Sequence, residues 1–217
     1  MSSAHRPAPV LFDLDGTLID SIGLILKSAQ FAFAKCGIEC PTESEWLSGV
    51  GRPLPVMFRH FAGEPQVDAL IVAYREFQMA NHDLLVQVYD GVPEMLGRLS
   101  ADGHPLAIVT SKTNALALRG LAHTGIDHFF QTIVGMDSCT RHKPDPEPVM
   151  IALDRLGVPP GGAWFVGDSV HDMESGNAAG VATVGALWGP FTAEDLAPSM
   201  PRHLADLPDD VVSLVAP

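Results

Sequence analysis

The sequence predicts an α/β protein: a parallel sheet with helices on both faces, and an all-helical segment inserted after the first strand. Three observations lead there. Val10-Leu11-Phe12 is a short unbroken apolar run of the kind found in strands buried on both faces. From about residue 87 onward, apolar runs alternate with helix-like stretches, as βα units around a parallel sheet require. Between them, residues 20–86 carry helical periodicity and no convincing alternating strand pattern.

Taken in order, residues 1–9 are rich in Ser, Ala and Pro and are expected to be loose. The Val10–Phe12 strand is ended by Gly16. Ile22, Leu24, Ile25, Ala29, Ala32 and Phe33 recur with helical spacing, and Gly37 suits the C-cap. Thr42 and Glu45 have the spacing of a capping box, and further helices fit 53–61 and 66–80. Pro93 suits the first turn of a helix that runs to about Ala101. Beyond it the alternation is strand 105–109, helix 113–123, strand 132–135, helix 146–156, strand 163–166, helix 170–179 and strand 181–184. The sequence contains no internal repeat and no low-complexity segment. The economical architecture is a Rossmann-like core of residues 1–19 and 87–217, interrupted by a helical cap of residues 20–86.

Composition narrows the class. A chain of 217 residues, 47% hydrophobic and 18% charged, can bury a real core. No apolar stretch has the length of a membrane span, and no basic-then-apolar leader is recognisable, so the cytoplasm is the expected location. Cys36, Cys40 and Cys139 form no Cys-x-x-Cys pair and read as reduced thiols. A formal charge of −13 argues against nucleic acid or an anionic membrane as partner.

The chemistry begins at Asp13-Leu-Asp15-Gly-Thr-Leu-Ile-Asp-Ser21. In open α/β sheets, ligands bind beyond the carboxyl ends of the strands, which is where Asp13 and Asp15 fall. Strand alternation points these two side chains one way and Leu14 the other. Two carboxylates held close repel unless a cation lies between them or one keeps its proton. This string resembles the first motif of the haloacid dehalogenase-like hydrolases, in their phosphatase branch. The resemblance implies a nucleophile at Asp13 and a general acid and base at Asp15, which the dehalogenating members lack.

Three further strings fall at later strand ends in the order that family requires. Thr110, after Ile108-Val109, resembles the second motif, a hydroxyl that holds a phosphate oxygen. Ser111 is expected to add its backbone N–H, and Lys112 reads as a solvated side chain. Lys143, in Lys-Pro-Asp-Pro, matches the third motif, and Pro144 keeps its backbone extended. Gly167-Asp168-Ser-Val-His-Asp172 matches the fourth, two acids following a strand. The resemblance implies Mg2+ held by Asp13, Asp15 (through its main-chain carbonyl), Asp168 and Asp172, the last directly or through water. None of the nine histidines has metal-ligand spacing, and His171 reads as an exposed helix residue.

The same resemblance implies a magnesium-dependent phosphatase that acts through an aspartyl-phosphate on a small phosphorylated metabolite. Its substrate is an anion and the chain is acidic, so local cations must outweigh the global field. The Ser48-Gly-Val-Gly-Arg-Pro-Leu54 segment resembles the family's cap loop, with Arg52 placed to pair with a substrate carboxylate or second phosphate. The pattern is most similar to phosphoglycolate phosphatases. Pyrophosphatases, sugar-phosphate phosphatases and a β-phosphoglucomutase-like phosphotransferase remain alternatives, as does a protein that binds a phosphorylated ligand without turnover. Either a monomer or a homodimer is compatible with the sequence.

Overall fold

The computed structural model describes residues 7–216. The chain runs β1 (Val10–Phe12), β2 (Ile19–Asp20), α1 (Ile22–Cys36), α2 (Glu43–Leu47), α3 (Leu54–Ala62), α4 (Val67–Leu85) and β3 (Gln87–Val88). It continues α5 (Val92–Ala101), β4 (Leu106–Val109), α6 (Asn114–Thr124), β5 (Thr132–Val134), α7 (Glu147–Leu156), β6 (Trp164–Gly167) and α8 (Val170–Ala179). It ends β7 (Ala182–Ala186), α9 (Ala193–Leu196), β8 (His203–Ala205) and α10 (Pro208–Val215).

Six strands form one parallel sheet in the order β5-β4-β1-β6-β7-β8. The chain lays β4 and β5 on one side of β1, then returns to lay β6, β7 and β8 on the other. Winding therefore reverses at β1, and Phe12 stands between Ile108 and Val166. That reversal is where an open α/β sheet leaves a crevice beyond its carboxyl ends.

Side-chain alternation sorts the strands into two apolar layers. Val10, Phe12, Ile108 and Val166 pack with Met95 and Leu99 of α5, Leu121 of α6 and Val211 of α10. Leu11, Ala107, Val109 and Phe165 face the other way, onto Val149 and Leu153 of α7. Both faces are thus covered, as the unbroken apolar strands require.

The inserted helices hold a cluster of their own. Ile25, Ala29 and Phe33 of α1 meet Trp46 of α2, Phe58 of α3, and Leu70 and Tyr74 of α4. Thr42 caps α2 with the expected box, and Gly37 ends α1 in the left-handed region at φ 67°. The insertion leaves and rejoins the core through a two-stranded ribbon, where Ile19 faces Val88, and Tyr89 N–H donates to Leu18 O at 3.1 Å.

The structure departs from expectation at the edges. The predicted looseness of residues 1–6 lies outside the described residues, but Ala8 and Pro9 are tied down. Ala8 O accepts from His104 Nδ1 at 2.6 Å and Pro9 O from Trp164 N–H at 2.9 Å. Helix α4 runs to Leu85 instead of ending near residue 80, and β7 extends to Ala186. Strands β2 and β3, of two residues each, are too short to show any alternation.

Phe33 is fully buried, with its ring edge-on to Trp46 and Phe58 at 5.8 and 5.7 Å. Phe33→Ala is expected to cost about 3–5 kcal/mol, read as a lower denaturant midpoint with loss of near-UV dichroism.

Candidate active site

Three adjacent strands end in polar residues. Asp13 follows β1, Thr110 follows β4 and Asp168 follows β6, and all three side chains are buried. The register fixes Asp13 between its neighbours, since its N–H donates to Val166 O at 2.9 Å. Asp172, two residues inside α8, caps that helix from within: its Oδ2 accepts from Ser169 N–H at 3.0 Å and Ser169 Oγ at 2.6 Å. Gly167 lets it do so, because a Cβ there would stand 2.4 Å from that of Asp172. Gly16 does the same for Asp168. It lies at φ +85°, and a Cβ would come 2.4 Å from Asp168 Oδ2.

Lys143 reaches into this group. Its Nζ donates to Asp172 Oδ1 at 2.6 Å and to Val109 O at 3.3 Å, and lies 2.9 Å from Asp13 Oδ1. The contact with Asp13 is an ion pair without hydrogen-bond alignment, so Asp13 Oδ1 is buried with no aligned donor. Asp168 Oδ1 accepts from Thr17 Oγ1 at 2.6 Å. One oxygen from each of Asp13, Asp168 and Asp172 can be chosen so that all lie within 4.8 Å of one another.

One ammonium does not balance three buried carboxylates. Burial pushes Asp13 up to about 7, against the pull of Lys143 and with a further push from Asp172. Burial, then Asp172 and Asp13, hold Asp168 well above the carboxylate range. Burial opposes the charge on Lys143, yet Asp13 and Asp172 together raise it above an ordinary lysine. The donor set is all oxygen, hard and short of positive charge, with one carboxylate oxygen unaligned. A small divalent cation such as magnesium fits it.

Asp15 stands on the same cavity wall as Asp13, while Leu14 is buried in the sheet's core. Asp15 Oδ1 accepts from Ser21 Oγ and from Lys112 Nζ. Lys112 is therefore not the solvated side chain expected from sequence. It is buried and paired with Asp15, because its loop turns back under the cavity, where Lys112 O accepts from Met136 N–H at 2.8 Å. Thr110 Oγ1 accepts from Lys112 N–H at 3.2 Å, which leaves its hydroxyl proton free to donate.

The expected loop from the helical segment lies over the site. Ser111 uses its hydroxyl to donate to Gly51 O, so its side chain serves to hold that loop. Arg52 lines the cavity, and its Nε donates to His171 Nε2 at 3.0 Å. His171 is correspondingly not exposed. Its place in the first turn of α8 brings it under the loop, and only 5% of it meets solvent. Burial first, then Arg52, lowers it to about 4, so it is a neutral acceptor with its proton on Nδ1.

The cavity encloses about 70 Å3. Asp13, Asp15, Thr110 and Lys112 line the sheet side, and Trp46, Arg52, Arg75 and Gln78 the helical side. Trp46, Arg75 and Gln78 were not anticipated. The signal was the Tyr74-Gln78 spacing in α4, which places a polar residue on the apolar stripe at i+4. From the C-terminal side, Trp188 Nε1 donates to Thr17 O at 2.7 Å.

The family model for haloacid dehalogenase-like hydrolases matches residues 10–186. The chain belongs to that family. Among relatives, it is 38% identical to pyrophosphatase PpaX of Bacillus velezensis over 212 residues, covering 96% of each chain. It is 35% identical to pyrophosphatase PpaX of Listeria monocytogenes over 207 residues, 95% of each. Among solved structures, a predicted phosphoglycolate phosphatase from Haemophilus somnus superposes with a TM-score of 0.90 at 26% identity, over 98% of this chain and 100% of that one. A haloacid dehalogenase-like family hydrolase from Streptococcus pneumoniae gives 0.85 at 26%, over 97% and 99%. The fold is the one those solved phosphatase and hydrolase structures share.

The electrostatics of this hydrolase make a pH prediction. With Asp13 raised in the folded state from 3.8 to about 7, the cost of ionising it accrues as pH rises between those values and levels off above. Measured in EDTA, Asp13→Asn is expected to gain stability relative to the wild type from about pH 4 to about pH 7. A constant difference in thermal midpoint across that range would refute the assignment.

Proposed function

We propose that this hydrolase removes the phosphoryl group from a small phosphorylated compound through an aspartyl-phosphate on Asp13, with magnesium as cofactor. The observation that carries the reading is Asp13 itself, a buried carboxylate at the central strand end, beside Lys143 and with one oxygen unaligned. Asp13 attacks phosphorus in line, and the bond from phosphorus to the leaving oxygen breaks. Asp15, on the same cavity wall, gives that oxygen a proton. It then takes a proton from the water whose oxygen displaces Asp13 and releases phosphate. Lys143, the Thr110 hydroxyl and backbone N–H groups near Leu14 and Ser111 offset charge on the transferring group. Asp13, Asp168 and the main-chain carbonyl of Asp15 would hold the ion. Asp172, with both oxygens engaged by Lys143 and Ser169, would reach it through water. When bound, it supplies the positive charge that lets a carboxylate face an anionic phosphorus.

Residues 20–86 act as a cap in this reading, excluding bulk water and choosing the leaving group. A cavity of about 70 Å3 accommodates a compact leaving group beside the carboxylates. Phosphoglycolate fits that description and matches the solved relative from Haemophilus somnus. Inorganic pyrophosphate is the second reading. It is favoured by the PpaX relatives, which share 35–38% of residues over nearly the whole chain.

Phosphate release from phosphoglycolate, pyrophosphate, hexose phosphates and nucleoside monophosphates, with magnesium or EDTA, tests the reading. Release that needs the metal and falls by at least about a thousandfold in Asp13→Asn is expected. Full activity in that variant would sink the covalent scheme. Arg52→Ala is expected to reorder substrate preference, and a uniform loss across the panel would remove Arg52 from recognition.

A further inference from the structure

Opposite the carboxylates, the helical side of the cavity carries two guanidinium groups, Arg52 and Arg75, among apolar side chains and no carboxylate. Arg75 of α4 is half-buried and, like Arg52, has no carboxylate within 4.0 Å among the described residues, although the chain carries 26 acidic residues against 13 Lys and Arg. Its guanidinium stands 5.8 Å over the Tyr74 ring, and its Nη1 donates to Gln78 Oε1. Burial lowers Arg75 from its usual value, while Tyr74 and then Asp15 pull it the other way. Gln78 is 2% exposed, and with its oxygen on Arg75 the amide nitrogen has no acceptor among the described residues. Trp46 is also 2% exposed, and its indole N–H has no partner among the described residues.

A buried donor without an acceptor costs roughly 1–3 kcal/mol, and a buried cation without a counter-charge costs more. One buried unpartnered donor, Trp46 Nε1, beside a half-buried guanidinium with no carboxylate in contact, both lining one cavity of an acidic protein, marks a place for an anion. We infer that Arg75, held by Gln78 and joined by the Trp46 indole N–H, forms a second anion subsite on the cap that binds a negatively charged group on the leaving side of the substrate. The subsite rests on the hydrolase reading and narrows it: the substrate class is a phosphorylated compound with a second anion, carboxylate or phosphate, within a few bonds of the phosphoryl group. Guanidinium suits either planar carboxylate or phosphate oxygens, so the geometry of the donors selects charge rather than one acid.

The test compares substrates matched in size. Phosphoglycolate and ethylene glycol monophosphate differ by a carboxylate in place of a neutral hydroxymethyl group, and pyrophosphate adds the phosphate case. Arg75→Gln should lower kcat/KM for phosphoglycolate or pyrophosphate about 10- to 100-fold more than for ethylene glycol monophosphate. Trp46→Phe, which keeps an aromatic ring in the cluster, should lower the same ratio by about 3- to 10-fold. An unchanged ratio in Arg75→Gln, with circular dichroism showing a folded protein, overturns the subsite. Should Arg75→Gln fail to fold, the Trp46→Phe ratio decides. If the wild type releases phosphate from none of the three, the hydrolase reading fails instead. Pyrophosphate titrated calorimetrically into wild type and Arg75→Gln then settles the subsite. Binding at least tenfold weaker in the variant sustains it, and equal binding removes it.

Discussion

Everything at the site follows from three buried carboxylates sharing one lysine. Burial and the neighbouring carboxylates disfavour the charge on Asp13 and Asp168, and the single positive charge of Lys143 does not offset them. The fold devotes much of its local geometry to tolerating this: a capping box that holds Asp172, a threonine hydroxyl on Asp168, and glycines where any side chain would strike a carboxylate. Stability is poor justification for such an arrangement, since buried ions rarely stabilise a protein relative to apolar groups of similar shape. Its justification is chemical. An electron-rich nest that lacks charge balance becomes complete only with a cation and an incoming phosphoryl group.

The parallel sheet makes that nest possible with little extra backbone. Three neighbouring strands end at one level, so Asp13, Thr110 and Asp168 converge without any long loop having to aim them. Lys143 comes from a turn rather than the extended segment its sequence suggested, closed by Asp145 N–H donating to His142 O at 2.9 Å, and its burial together with its bonds to Val109 O and Asp172 replaces the rigidity that a strand would give. The opposite wall is supplied by helices with their own apolar core. The carboxylate wall can thus be common to many hydrolases, while the donor wall is free to vary with the leaving group.

Most of the sheet was legible because strands buried on both faces leave unbroken apolar runs, and Gly or Pro marks their ends. The missing elements had no such signature. Strands β2 and β3 are two residues long, and β8 is a three-residue edge strand carrying His203. Helix α10 was detectable: Pro208 opens it, and Val211, Val212 and Val215 form a stripe. At the site, residues that end strands within contiguous motifs could be read from the chain. Lys112 and His171 could not, because the partners that bury them are remote in sequence: Asp15 and the Met136 turn for Lys112, and Arg52 of the inserted segment for His171. Arg75 carried no signal, and Gln78 carried only its place on the apolar stripe of α4, which marks a buried polar residue but not the cavity it lines.

The inserted helices are fastened to the sheet unevenly. On the ribbon side, Leu24 of α1 is part of the sheet's own apolar cluster, and Phe77 and Leu85 of α4 pack against it. On the loop side the attachments include polar contacts, Ser111 to Gly51 and Arg52 to His171. Apolar anchoring is costly to break and polar contacts exchange readily with water. The two edges thus differ in what holds them, an apolar seam at the ribbon and a few polar bonds at the loop, and water can replace the polar bonds but not the seam.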